Sequence, residues 1–128
     1  MLTWLNNGQF NEQQVLPENY VKNATTIHNI MPQDGADSSV YLFGDGFGWR
    51  VQSFKGHYKV NHGGNTSGFS SQVVMYPNNK LGIAVLTNQH NSILPYIIAD
   101  VISNRLLDLP KTELDKYKSL NSRSKINI

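Results

Sequence analysis

From Phe47 to Thr87 the sequence falls into four short stretches rich in strand-forming residues, separated by Gly, Asn, Ser and Pro. In the first two, apolar and aromatic residues return at every second position, the period of an extended strand. "FGWRVQSF" sets Phe47, Trp49 and Val51 on one face, and "HYKVNH" sets Tyr58, Val60 and His62 on one face. Lys55-Gly56 between them reads as a tight hairpin turn. "FSSQVVMY" and "LGIAVLTN" follow, joined by "PNNK", which suits an antiparallel hairpin. The last stretch is apolar on both faces through Leu81, Ile83, Ala84, Val85 and Leu86. Such a strand is usually central and covered on both sides.

The clearest helix comes next, in "SILPYIIADVISNRLLDL". Asn91 or Ser92 can cap it, and Pro95 falls in the first turn, where it is tolerated. Ile98, Val101, Ile102 and Leu106 form an apolar stripe at helical spacing, with Asp100 and Arg105 off it. Pro110 ends the helix. Ahead of the strands, Pro17 suits the first position of a short helix, and the β-branched Thr25, Thr26 and Ile27 argue against its continuing. "PQDGADSS" is a loop on composition. Leu2, Leu5 and Trp4 fit the last turn of an amphipathic helix stopped by Asn6-Asn7-Gly8. A helix that short does not stand alone. The expectation is therefore that the usual start of the domain is missing.

The implied class is α+β, an antiparallel sheet of about four strands over about residues 47–87, packed on a C-terminal helix over about 92–108. One helix covers one face only. The apolar last strand asks for cover on the other face too, since monomeric proteins avoid large bare apolar patches.

Composition excludes more than it assigns. The 128 residues suffice for about one domain. There is no cysteine, so disulfides, thiolate catalysis and Cys-ligated metal are out. Net charge is +2, and the 11 basic residues are spread out except in the tail after Pro110, with Lys111, Lys116, Lys118, Arg123 and Lys125. That tail reads as a solvated, polar and basic end, and no nucleic-acid footprint emerges. No apolar run has the roughly 18 residues of a membrane helix. His28, His57 and His90 are scattered, and no spacing suggests a metal site. His90 reads as a surface residue. No cofactor is expected. No signal peptide is visible, so the chain as given reads as cytoplasmic, or as periplasmic or extracellular if a longer secreted parent exists.

One stretch is richer than a turn requires. "HGGNTSGFSS", residues 62–71, holds a histidine, three glycines, an amide and four hydroxyls between two strands. Taken alone, a histidine at a strand end followed by glycines is an ordinary hairpin feature. With its neighbours it resembles the third active-site motif of the serine β-lactamase and penicillin-binding-protein superfamily. That motif is Lys-Thr-Gly, often His-x-Gly in the class C β-lactamase-related branch. "FGDGFGWRV" resembles the aromatic-glycine strand before the motif, and "VVMYPNNKLGIAVLTNQ" the hairpin after it. "MLTWLNNGQF" is similar to a helix-and-turn segment further upstream. The resemblance covers about residues 1–109, implying a partial domain of that fold followed by the tail, 110–128.

The resemblance implies roles residue by residue. His62 stands at the basic position, which binds the substrate carboxylate or polarises the network around the nucleophile. Gly63 replaces the threonine, so that hydroxyl is lost. Gly64 matches the glycine that lets substrate approach the strand. Asn65 matches the residue whose backbone N–H is half of the oxyanion hole, a donor whose removal typically costs about 100- to 1,000-fold in rate. Gly68 and Phe69 match the turn and the next strand.

The superfamily also needs a Ser-x-x-Lys nucleophile and a second motif with Tyr or Ser, both ahead of this strand. Ser122-Arg123-Ser124-Lys125 and Tyr76-Pro77-Asn78 match only as letters, because both follow His62. The first is in the polar tail and the second in a turn. The expectation is thus a fragment of a β-lactamase-like serine hydrolase, inactive alone. The implied ligands are a β-lactam, a peptidoglycan peptide or an ester. The implied protein partners are a second copy of the chain or the missing N-terminal part of the fold. The alternative is a non-catalytic ligand-binding or self-associating module derived from that fold.

Overall fold

The computed structural model describes residues 1–32 and 40–117. The loop expected at 32–39 falls, from Gln33 on, outside the described residues, as does Ser122–Lys125. The chain divides into two compact units, Met1–His62 with Val74–Gly82, and Gly63–Val73 with Ile83 to the end.

In the first unit, α1 (Leu2–Leu5) stops where Asn7 and Gly8 turn left-handed, with φ of 52° and 90°. A small hairpin follows, β1 (Gln9–Phe10) against β2 (Gln13–Gln14). Helix α2 (Glu18–Ala24) starts directly after Pro17. Its end is chemical. The Thr25 and Thr26 hydroxyls donate to the carbonyls of Val21 and Lys22, at 2.9 and 2.7 Å. Side chains thus take acceptors that a further helical turn would use. The core joins Leu5, Val51, Val60 and Met75, with Trp4, Ile27, Trp49 and Tyr58 packed against it. The Trp4 ring meets Trp49 edge-on at 5.3 Å and Tyr20 at 6.0 Å.

The main sheet has six strands rather than four, in the order β3 (Asn29–Ile30), β4 (Val40–Asp45), β5 (Arg50–Phe54), β6 (His57–Thr66), β7 (Phe69–Tyr76), β8 (Leu81–Thr87). From β3 to β6 each neighbour is antiparallel. Strand β4 escapes a period-two reading because its register against β5 shifts between Val40 and Phe43. That irregularity breaks the alternation. Phe47 and Trp49 precede β5 instead of belonging to it. Gly46 N–H donates to Trp49 carbonyl at 2.8 Å and Gly48 has φ of 71°, so the segment is a tight turn. Phe47 is consequently exposed.

Strand β8 is not central. It stands last in the sheet order. Ile83 is buried, whereas Ala84 and Leu86 are exposed, Leu86 at 80%. Apolar composition therefore misjudged its position: one face is packed, and on the other Ala84 and Leu86 are exposed.

In the second unit, α3 (Leu94–Leu106) forms where expected, and Ser92 Oγ accepts the Leu94 N–H at 3.2 Å. Its orientation is the reverse of what the stripe suggests. Pro95, Ala99, Asp100, Ser103 and Asn104 are buried, while Val101, Ile102 and Leu106 are exposed. Asp100, placed off the stripe by its spacing, is 2% exposed. The cause is the segment after the helix. Tyr117 OH and Thr112 Oγ1 donate to Asp100 Oδ2 at 2.8 and 3.2 Å, and Asn104 Nδ2 donates to Thr112 Oγ1 at 2.7 Å. A buried carboxylate needs such partners. A single turn of 3-10 helix, Leu114–Tyr117, carries Tyr117. No helix of the described residues is long and apolar enough to cross a membrane.

Candidate active site

The site is set by where a ladder stops. Lys55 and Gly56 both have positive φ, 48° and 81°, the two-residue turn that matches strand twist. It fixes the register Phe54 opposite His57 through to Arg50 opposite Asn61. The pair flanking such a turn exchanges both backbone hydrogen bonds, and bonding pairs then recur at every second residue. The backbone of His57, Lys59 and Asn61 therefore faces β5. Continued along β6, the same parity turns the N–H and C=O of Gly63 and Asn65 to that side, beyond the last paired residue of β5. Among the described residues, His62–Thr66 are thus an overhang whose backbone edge on that side is not paired with β5.

The overhang is exposed at every position from His62 to Phe69. Gly63 and Gly64 lie against their own hairpin partner. A Cβ on Gly63 would sit 2.7 Å from Gln72 Oε1, and one on Gly64 would sit 3.0 Å from Ser71 Oγ. Ser71 Oγ also lies 3.4 Å from Gly64 carbonyl. The turn at Gly68, with φ of 84°, returns the chain into β7.

The far end of the overhang is tied by side chains. Ser70 is 3% exposed, and its Oγ lies 2.6 Å from Asn65 Oδ1 and 2.7 Å from Gln89 carbonyl. It accepts the Ser92 N–H at 2.9 Å. Thr87 Oγ1 donates to Ser70 carbonyl at 3.2 Å, and His90 Nδ1 lies 3.0 Å from Thr66 carbonyl. The segment 87–92 therefore braces residues 65–70, all within the second unit.

His62, Gly64 and Asn65, singled out from the sequence, lie along this one strand. The His62 ring is exposed and makes no hydrogen bond to another described residue. The other histidines are engaged. His28 stacks on Phe47 at 4.6 Å and contacts Asn23 carbonyl at 2.7 Å. His57 Nδ1 lies 3.1 Å from Asn79 Oδ1. His90, read as a surface residue, is exposed but holds Thr66. Tyr76-Pro77-Asn78 runs from the end of β7 into a turn, with a 3-10 helix at Pro77–Asn79.

Sequence reasoning missed Ser70, Gln89, His90 and Ser92. A signal for Ser70 existed. It shares its β7 face with Gln72, Val74 and Tyr76, all buried.

The first unit also holds a mostly apolar groove of about 620 Å³, lined by Ile27, Ile30, Leu42, Ser53, His57 and Tyr58 among others. The Tyr58 hydroxyl donates to Thr25 carbonyl. Burial pushes its pKa above the ordinary tyrosine value, and the hydrogen bond to Thr25 partly offsets this. None of His62, Gly64 and Asn65 lines this groove.

A family model described as Beta-lactamase matches residues 1–100. The chain is also similar in structure to the octameric penicillin-binding protein homologue from Pyrococcus abyssi, with a TM-score of 0.68 and 22% identity. That match covers 84% of this chain and 22% of the other, so the chain spans about a fifth of the protein it resembles. At this identity the likeness concerns the fold. No curated protein matches the chain.

Proposed function

The chain belongs to the β-lactamase family, and from that premise we propose that residues 62–65 are the electrophile-binding strand of a serine acyl-transfer site. The substrate class is a β-lactam, a D-Ala-terminated peptide or an ester. The observation that carries this reading is the overhang of β6, which points the Asn65 N–H beyond the end of β5. When an acyl carbonyl is attacked, charge gathers on its oxygen. A donor fixed in advance at that spot lowers the barrier without having to reorganise.

The other residues take complementary roles. Gly64 leaves space for the substrate backbone against the strand. His62 offers an imidazole to the substrate carboxylate.

No Ser-x-x-Lys stands ahead of His62 in the 128 residues. We therefore propose that the 128-residue chain alone is not acylated. Incubation with a fluorophosphonate or a β-lactam, read by intact mass, is expected to leave the mass unchanged. A stable adduct on the chain would overturn this part of the reading.

A second reading is self-association, favoured by the outward stripe of α3, where Val101 and Ile102 are 41% and 36% exposed. The structural neighbour is described as octameric. Light scattering of the 128-residue chain at micromolar concentration tests it, and a clean monomer would remove it.

A further inference from the structure

We propose that Ser70 is a positioning residue that holds Asn65 in place, making residues 87–92 part of the site's frame. The proposal rests on the reading of Asn65 as an oxyanion donor and adds what fixes that donor. The need for a pin follows from the overhang. Past Asn61, among the described residues, the pairing of β6 with β5 does not continue. A strand end held on one side only frays more readily than one inside a ladder.

Ser70 meets that need from below the turn. The residue is 3% exposed, and its hydroxyl lies at the meeting point of three segments. Asn65 Oδ1 is 2.6 Å away, Gln89 carbonyl 2.7 Å and Ser92 N–H 2.9 Å. A serine hydroxyl has one hydrogen and two lone pairs. It accepts from Ser92 and shares its single hydrogen between Asn65 and Gln89. Alanine would remove all three contacts at once. The second tie, His90 Nδ1 to Thr66 carbonyl at 3.0 Å, acts one residue further along and leaves Asn65 itself to Ser70.

The test is backbone ¹⁵N relaxation on the 128-residue chain, with Ser70→Ala, Ser70→Thr and Asn65→Ala. In the unsubstituted chain the Asn65 amide is expected to be rigid, with an order parameter of about 0.85. Ser70→Ala is expected to lower it below about 0.6 at Asn65 and Thr66, with Val60 and Met75 unchanged, and Ser70→Thr is expected to restore it. Asn65→Ala is expected to loosen residues 65–66 while Ser92 stays rigid, which guards against a Ser70→Ala chain that fails to fold. An Asn65 amide that stays rigid in Ser70→Ala, or residues 65–66 that stay rigid in Asn65→Ala, would overturn the proposal.

Titration with benzylpenicillin separates this from the parent reading. If the ligand shifts the Asn65 amide equally in the unsubstituted chain and in Ser70→Ala, the pin is wrong and the donor stands. If it shifts Asn65 in neither while relaxation responds to Ser70→Ala, the pin stands and the donor role fails.

Discussion

Strand β6 is built in two ways along its length. From His57 to Asn61 it is laddered to β5, and Lys59, Val60 and Asn61 are buried at 2%, 0% and 8% exposure. From His62 to Thr66, among the described residues, the pairing with β5 does not continue and every residue is exposed. The first half is held by backbone hydrogen bonds and apolar packing. The second is held by β7 and by side-chain contacts from Ser70, Ser71 and His90. Chemistry needs backbone donors that are both rigid and unoccupied. A ladder gives rigidity by occupying them, so under the proposed reading the overhang draws its rigidity from side chains instead.

If the halves differ in this way, substitutions should separate stability from binding. The largest loss is expected at the packed side. Met75 is 1% exposed and packs with Val60, and Met75→Ala should cost about 2–5 kcal/mol in urea unfolding. Ser70→Ala comes next, at about 1–3 kcal/mol, because it strips partners from polar groups around a buried hydroxyl. A cost equal to that of Met75→Ala would mean the overhang is as much scaffold as the core.

Tyr58 gives a pH-dependent test of the packed half. Its folded-state pKa is raised above the unfolded value of about 10, so folding favours the protonated phenol. Its contribution is present in full below that pH and is lost as pH rises through the higher folded-state value. In alkaline unfolding series, Tyr58→Phe should lack this component of the fall in stability.

The smallest stability effects belong to the exposed half. Gly64→Ala meets only the end of a serine side chain, so it should cost less than about 1 kcal/mol. It should nevertheless weaken β-lactam binding measured by NMR titration. His62→Gln should lie within about 0.5 kcal/mol of the unsubstituted chain in unfolding, and it should reduce the affinity for carboxylate ligands. A large stability loss at either position would erase the distinction between the halves.

What the sequence disclosed follows the reach of the forces involved. The Lys55-Gly56 turn, the start and end of α2 and the span of α3 depend on neighbours in the chain, and all were legible. The edge position of β8 and the burial of Asp100 were not. Asp100 is buried because Thr112 and Tyr117 fold back onto α3, and no helical period contains that. Strand β4 was hidden by its irregular register. For the proposed site, His62, Gly64 and Asn65 were visible as a motif, and they lie on one strand. Ser70 and the brace at 87–92 were not, because segments some 20 residues apart meet only in the fold.

The central claim is that the open half of β6 binds the electrophile. Its most direct test is a ¹H–¹⁵N titration of the 128-residue chain with benzylpenicillin. Shifts are expected at His62, Gly64 and Asn65, with Tyr58 and Val60 unmoved. A flat response at 62–66, or shifts gathered instead around Tyr58 and Leu42 in the apolar groove, would contradict it.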